Sequence, residues 1–305
     1  MSPLRFDGRV AVVTGGGRGI GRAHALLLAD RGASVVVNDL GGSMEGVGVD
    51  AEPASVVAAE IVAAGGVAIA DTNDVATTTG ADALVDAAVA QFGRVDIVIN
   101  NAGIIKWAGF PDADADNLAS HIAVHVAGSF NTTRAAWPHM VAQHYGRVVM
   151  TSSSGIFGLP NNLSYATAKA AVIGMSRSLT TAGAGHGIKV NVIAPAAYTR
   201  MAGDQPDPAA QTQMSPELVA PMAAFLAHEA CPVSGEVYAA GAGRFARIFI
   251  ASTVGYVAPD EATIEEVAEN WATINDESGY YLPRHLMGWS AAFMAHLRQD
   301  GAVSP

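Results

Sequence analysis

The apolar run Val10-Ala11-Val12-Val13 leads straight into Thr14-Gly15-Gly16-Gly17-Arg18-Gly19-Ile20-Gly21, and a helix-like stretch follows over residues 22–30. No other stretch limits the fold as much. A short apolar run reads as a buried strand. The glycines strip side chains from the turn, and the following helix aims its first amides at it. Strand, glycine turn and helix together let a backbone approach a pyrophosphate at a helix N-terminus. A merely flexible loop is the other reading, and correct flanks on both sides weigh against it. Such a unit opens an α/β fold with parallel strands.

The remaining chain alternates in the same way. Strands are expected at 33–38, 67–70, 95–99, 147–150, 188–193 and 235–240. Helices are expected at 54–64, 81–92, 116–144, 163–182 and 216–228. Asp39 closes the second strand, eighteen residues after Gly21. An acid about 20 residues past such glycines takes the adenosine ribose hydroxyls of NAD. A solvated strand-end aspartate is the alternative, and both spacing and strand end favour the ribose. The glycine-rich stretch 41–50 reads as a loop. No strand leads directly into it, which argues against a second phosphate cradle. Asp74-Val75 follow the third strand, where an adenine edge or a plain turn would lie. Asn100-Asn101-Ala102-Gly103 leave the fourth; small residues there admit a ligand, and asparagine amides equally pin a turn.

Chemistry centres on Ser164-Tyr165-Ala166-Thr167-Ala168-Lys169. On a helix, Tyr165 and Lys169 share one face. A neighbouring ammonium favours the phenolate of a tyrosine that ionises ordinarily near pH ~10. The pair can therefore move a proton near neutral pH. Ser152, thirteen residues earlier, stands at the carboxyl end of the fifth strand, where open α/β sheets bind ligands. His121 and His125 are four apart, a metal-ligand spacing. Ile122 breaks the His-Glu-x-x-His pattern, so no metal is expected and one histidine is read as facing the active site.

The chain has 305 residues, half of them apolar, and a formal net charge of −11. The acidic balance argues against nucleic acid as a partner. No apolar run is long enough to span a bilayer, and the N-terminus lacks the apolar core of a signal peptide. The single cysteine, Cys231, forbids an internal disulfide and fits a reducing cytoplasm. No solenoid repeat is visible. Residues 204–208, with two prolines, read as a mobile loop. Beyond Gly243 aromatic residues gather, with helices expected at 261–271 and 283–297. About 60 residues would have little core of their own. Residues 1–305 are therefore read as one domain, a core of about 8–243 with an extension of about 244–305 packed on it.

Thr14-Gly15, Gly19, Gly21, Asn100-Asn101-Ala102-Gly103, Ser152, Tyr165 and Lys169, in this order and on these elements, resemble the short-chain dehydrogenase/reductase family over about residues 8–240. The resemblance implies a single-domain Rossmann fold, a doubly wound parallel sheet of strand order 3-2-1-4-5-6-7 with helices on both faces. It implies a nicotinamide cofactor, here NAD. Its contacts would come from Gly15, Gly17, Arg18, Gly19, Ile20, Gly21, Asp39, Asp74, Val75, Asn101, Ala102, Gly103, Tyr165, Lys169, Pro195 and Thr199. Tyr165 would be the general base, Ser152 the holder of the substrate oxygen, and Lys169 the partner of phenolate and nicotinamide ribose. His125 falls where the family usually has a relay asparagine, and Ala196 where it has glycine. A homodimer or homotetramer is implied as well.

A narrower resemblance is to dehydrogenases of (3R)-hydroxyacyl-CoA esters. It rests on Val35-Val36-Val37-Asn38-Asp39-Leu40-Gly41-Gly42, Gly128-Ser129-Phe130, Thr133-Arg134-Ala135-Ala136-Trp137, Tyr145-Gly146-Arg147, Met150-Thr151-Ser152-Ser153 and residues 237–243. It implies an acyl-CoA substrate, with a hydroxysteroid as the runner-up and a silent NAD-binding protein as the non-enzymatic alternative. Lys106 and Arg200 are read either as partners for the phosphates of a CoA ester or as solvated surface charges. Met201, Met214 and Met222 suit either a bulky apolar pocket or an ordinary core.

Overall fold

The structure, a computed structural model, describes residues 3–202, 208–259 and 261–298. Eight strands form one sheet in the order β3-β2-β1-β4-β5-β6-β7-β8. They are β1 (Val10–Thr14), β2 (Ser34–Asn38), β3 (Val67–Asp71), β4 (Ile97–Asn100), β5 (Gly146–Thr151), β6 (Ile188–Pro195), β7 (Val237–Gly241) and β8 (Arg244–Ile248). The first seven run parallel, in the implied order. The centre lies in register through Val36, Val12, Val98, Val148 and Val190. Each of these five valines is at most 1 % exposed, as expected of strands covered on both faces.

β8 is an addition to the expected sheet. Ala242 and Gly243 both take left-handed φ, +49° and +72°, and join it to β7. A two-residue turn of that hand closes a hairpin, so the edge strand runs antiparallel. Nothing in the alternation of apolar residues announces it, because β8 is mostly exposed.

Eleven helices are described: α1 (Gly19–Asp30), α2 (Glu52–Ala63), α3 (Thr78–Phe92), α4 (Ala115–His121), α5 (Gly128–Ala142), α6 (Leu163–Gly183), α7 (Pro208–Gln213), α8 (Ala220–Ala227), α9 (Ile264–Glu269), α10 (Trp271–Ile274) and α11 (Leu286–Phe293). α1 packs against α2 and α8, and α3 packs against α5. The helix expected at 116–144 is divided by a π-helical turn, Ile122–Ala127. Side-chain periodicity does not reveal such a turn, and it is a feature that concentrates at functional sites. Of the loop expected at 204–208, residues 203–207 lie outside the described residues.

The chain divides into two compact units, Met1–Arg247 and Ile248–Pro305. The second holds α9 to α11, none of which has a buried residue. Its own ties include paired backbone bonds between Ser252 and Tyr281 and stacked rings of Trp289 and Phe293.

Candidate active site

Everything of chemical interest gathers at the carboxyl ends of the parallel strands. Gly15 sits at φ +62°, and a Cβ on Gly21 would stand 2.0 Å from the Gly15 carbonyl oxygen. No side chain is tolerated at Gly21 without breaking the turn. Asn101 fastens the turn from β4's end, its Nδ2 donating to the carbonyls of Thr14 and Gly15, each at 3.1 Å. The Thr14 hydroxyl accepts from the amides of Asn101 and Ala102. Pinning is thus the role the structure gives this asparagine. Asp39 accepts from the Gly17 amide at 2.9 Å with one oxygen and from the Gly41 amide at 2.8 Å with the other.

A cavity of about 400 Å³ opens above the turn. Of the residues expected to hold the cofactor, its lining includes Gly15, Arg18, Gly19, Ile20, Gly21, Asp39, Asp74, Val75, Asn101, Ala102, Gly103 and Thr199. Gly17 stands outside that lining, packed against Pro53. Pro195, Tyr165 and Lys169 also lie outside it. Leu40, Gly42, Ser43 and Gly46 line the cavity too, so the glycine-rich loop is part of the site. The loop reaches across to the Ile105 amide, which donates to the Met44 carbonyl at 2.9 Å. Arg200 and Met201 stand in the wall as well. A dinucleotide fits this chemistry: unblocked amides at the start of α1, and a carboxylate at the end of β2.

The serine expected at the centre is one position off. The backbone of Ser152 continues the ladder from β5, its amide donating to Ile193 at 2.7 Å. Its side chain is fully buried, and its hydroxyl donates to the Lys169 carbonyl at 2.7 Å. Successive side chains alternate along a strand. The hydroxyl that faces the Tyr165 phenol is therefore that of Ser153, whose hydrogen bonding favours the phenolate. Ser153 Oγ is oriented by the Gly155 amide, which donates to it at 3.0 Å.

Lys169 is buried, and its ammonium donates to the Thr151 carbonyl at 2.8 Å. Nζ lies over the Tyr165 ring, 5.4 Å from its centroid. Burial draws the lysine pKa down to about 7. Burial raises the pKa of Tyr165, and Ser153 opposes that rise. Ser153 thus joins Lys169, whose nitrogen lies over the ring, beside the phenol.

Two stacked histidines back the tyrosine. The rings of His121 and His125 lie 5.9 Å apart, and both meet Tyr165 edge-on. His121 Nδ1 contacts the Asn117 carbonyl at 2.8 Å and Nε2 accepts from the Lys106 amide at 3.2 Å. Those partners assign its proton to Nδ1. His125 Nε2 lies 2.8 Å from the Ile104 carbonyl, which only accepts, so the proton sits on Nε2. The 3.3 Å approach of the Ile104 amide to that same nitrogen is then not a hydrogen bond. Nδ1 remains a buried acceptor without a partner among the described residues. Burial, with the Lys169 charge adding to it, holds His125 well below its ordinary pKa and therefore neutral. Gly103 makes room for the ring, since a Cβ there would lie 2.6 Å from His125 Cε1. No group of three metal-ligating side chains occurs among the described residues. No helix among them is long and apolar enough to cross a membrane.

Comparison with known proteins places this geometry. Residues 9–208 match the family model of short chain dehydrogenases. Peroxisomal multifunctional enzyme type 2 of Mus musculus is 41 % identical over 287 residues, which is 93 % of this chain and 39 % of that protein. The solved full-length enzyme of that name from Drosophila melanogaster superposes with a TM-score of 0.80 at 34 % identity, over 97 % of this chain and 50 % of that one. This chain therefore spans half or less of the length of those relatives. A 7α-hydroxysteroid dehydrogenase solved with NADH and 7-oxo glycochenodeoxycholic acid superposes with a TM-score of 0.71 at 31 % identity, over 79 % of this chain and 95 % of that one.

Proposed function

The chain belongs to the short-chain dehydrogenase family and is an oxidoreductase, and from that premise we propose that it oxidises (3R)-hydroxyacyl-CoA esters with NAD. The observation that carries the reading is the meeting of the Ser153 hydroxyl, the Tyr165 phenol and the buried Lys169 ammonium beside the dinucleotide cavity. When bound, nicotinamide supplies the acceptor for the hydride. Ser153 holds the substrate oxygen in its hydrogen bond. Tyr165 takes the hydroxyl proton as general base. Lys169 holds its nitrogen over the ring, donating to the Thr151 carbonyl. His125 Nδ1, a free acceptor near Lys169, is where the proton path continues.

NAD is favoured over NADP because Asp39 stands at the cavity with its negative charge, which repels a 2′-phosphate. Arg18, the residue that would favour that phosphate, contacts the carbonyls of Gly41 and Gly42 and lies 3.9 Å from Asp50.

Two segments near the tyrosine helix form an apolar rim. Ala108 bridges to Asn162, and the segments carry exposed Trp107, Phe110, Phe157 and Leu159. Such a rim suits an acyl chain, and it suits a steroid too. The hydroxysteroid dehydrogenase among the structural neighbours keeps that second reading alive. The narrower sequence resemblance favours the thioester. We infer a dimer or tetramer from the family, and a reducing compartment such as the cytoplasm from the one buried, free cysteine, Cys231.

The test is an absorbance assay for reduced nicotinamide with NAD or NADP, (3R)- and (3S)-hydroxyacyl-CoA esters of several chain lengths, and free hydroxysteroids. The reading expects turnover of the (3R) esters with NAD, and narrower coenzyme discrimination in Asp39→Ala. Efficient steroid oxidation with no activity on any ester would overturn the substrate. Binding of NADH with no turnover of any alcohol would leave a silent binder.

A further inference from the structure

Two guanidinium groups converge on one neutral oxygen at the lip of the cavity. The Gly42 carbonyl receives Arg18 Nη1 at 3.4 Å and Arg200 Nη2 at 3.2 Å. Both arginines line the cavity. Both stand near the start of α1. Arg18 is its N-cap residue and contributes no side-chain cap. Arg200 follows Thr199, whose methyl group would lie 3.4 Å from a Cβ placed on Gly19, the first residue of that helix. Like charges are brought together here at some cost. Burial, and then the charge of Arg18, lower the pKa of Arg200, while Asp39 and Glu45 act in the opposite sense. Asp39 already has both oxygens on backbone amides. Glu45, which accepts from the Ser43 hydroxyl, and Asp50, 3.9 Å from Arg18, are the other carboxylates at the pair.

We propose that Arg200 is a cofactor-binding residue that closes, with Arg18, on the pyrophosphate of the dinucleotide. The proposal rests on the dinucleotide reading given above. A guanidinium has five donors in a planar fork. One donor of Arg200 reaches Gly42, which leaves others to meet phosphate oxygens side by side. A pyrophosphate bridge carries two negative charges, one for each arginine, and its place is at the helix N-terminus beside them. The sequence pointed Arg200 toward a thioester's phosphates. Its position in the wall of the dinucleotide cavity assigns it to the cofactor instead, and leaves Lys106 as the cation for the substrate.

The experiment measures binding of NADH, NADPH and ADP-ribose to the unmodified protein, Arg200→Ala and Arg200→Lys by calorimetry, at low and high salt, with thermal melting as the control for folding. Arg200→Ala is expected to weaken all three ligands by a common factor of roughly tenfold, the size of one partly exposed charge-assisted contact. Its salt dependence should be shallower than that of the unmodified protein. Arg200→Lys should recover part of the loss, since it keeps the charge and loses the fork. A loss confined to NADPH would overturn the proposal and assign Arg200 to a 2′-phosphate. Unchanged affinity for NADH and ADP-ribose in Arg200→Ala would overturn it too. If the unmodified protein bound no dinucleotide at all, the cofactor reading itself would fall, a result distinct from the other two.

Discussion

The two ends of the parallel sheet treat charge in opposite ways. At the amino ends of the strands, Asp96 is completely buried, yet it accepts from the Val10 amide and pairs with Arg9 at 3.1 Å and Arg94 at 2.6 Å. Arg147, buried at the start of β5, lies over the Tyr145 ring and donates to the carbonyls of Gly146, Gly187 and His228. Each charge there is answered from within the fold. At the carboxyl ends, His125 Nδ1 and Thr151 Oγ1 are buried with no partner among the described residues. Lys169 holds its proton loosely, and two arginines share one carbonyl. Buried polar groups are normally satisfied. His24, buried in the middle of α1 with neither ring nitrogen bonded among the described residues, is a separate exception. The cluster of such groups at the carboxyl ends marks the end that works on a ligand, and the paired charges at the amino ends mark the one that holds the fold.

The largest effect should come from the working end. Tyr165→Phe keeps the ring against His121 and His125 and removes the proton acceptor. Turnover should fall by roughly 10²–10⁴-fold, while NADH binding by calorimetry stays near that of the unmodified protein. Ser153→Ala should lose roughly 10²-fold. It should also move the rising limb of the pH–rate profile to higher pH, because the hydrogen bond it removes favours the phenolate. Near-normal turnover of either pure variant would remove that residue from the mechanism.

The holding end should show the reverse pattern. Asp96→Ala strands two arginines and leaves the Val10 amide unpaired. Removing one member of a buried ion pair costs about 3–5 kcal/mol. Arg9 and Arg94 are partly exposed and can hydrate, so about 3 kcal/mol is expected here. Denaturant unfolding would read the loss, and turnover under folding conditions should remain unchanged. A variant of full stability with impaired turnover would erase the contrast between the ends.

Lys169 allows the contrast to be sharpened by pH. Its folded-state pKa is about 7, below the ordinary value of 10.5. Between those values the unfolded chain binds more protons at this group than the native one. Stability from this lysine therefore rises as pH climbs from about 7 toward 10.5, and the penalty of burying its charge is complete below that window. Lys169→Met removes the contribution. The difference in unfolding free energy, unmodified protein minus variant, should shift toward the unmodified protein as pH rises through the window. Curves that stay parallel would show that the lysine is not held as a strained cation.

Much of this organisation is legible in the sequence. The glycine turn, Asp39 and the Tyr165–Lys169 pair could be read because each depends on local geometry: a Cβ-free turn, a strand end, one turn of helix. The order of seven strands came from the family resemblance and not from periodicity. What escaped was set by contacts across the fold. The π-helical turn around His125 answers to Ile104, far away in sequence. The loop at 41–50 lines the cavity because Met44, Arg18 and Arg200 hold it there. The edge strand β8 depends on a left-handed alanine that no propensity favours.

The smallest predicted effect concerns the serine placed at the centre by counting back thirteen residues from Tyr165. That count crosses the irregular segment between β5 and α6, whose length is free to vary. Counting forward from Gly146, the first residue of β5, uses the strand itself, and its two-residue alternation puts Ser152 and Ser153 on opposite faces. Ser152 turns inward to the Lys169 carbonyl and Ser153 outward to the phenol. Ser152→Ala should therefore leave turnover within about twofold and cost roughly 1 kcal/mol of stability, the value of one buried hydrogen bond. The same measurements on Ser153→Ala should show the opposite balance, a large loss of rate with little loss of stability. If Ser152→Ala lost the rate and Ser153→Ala kept it, the hydroxyl at the phenol would be Ser152 after all, and the strand-register argument would fail with it.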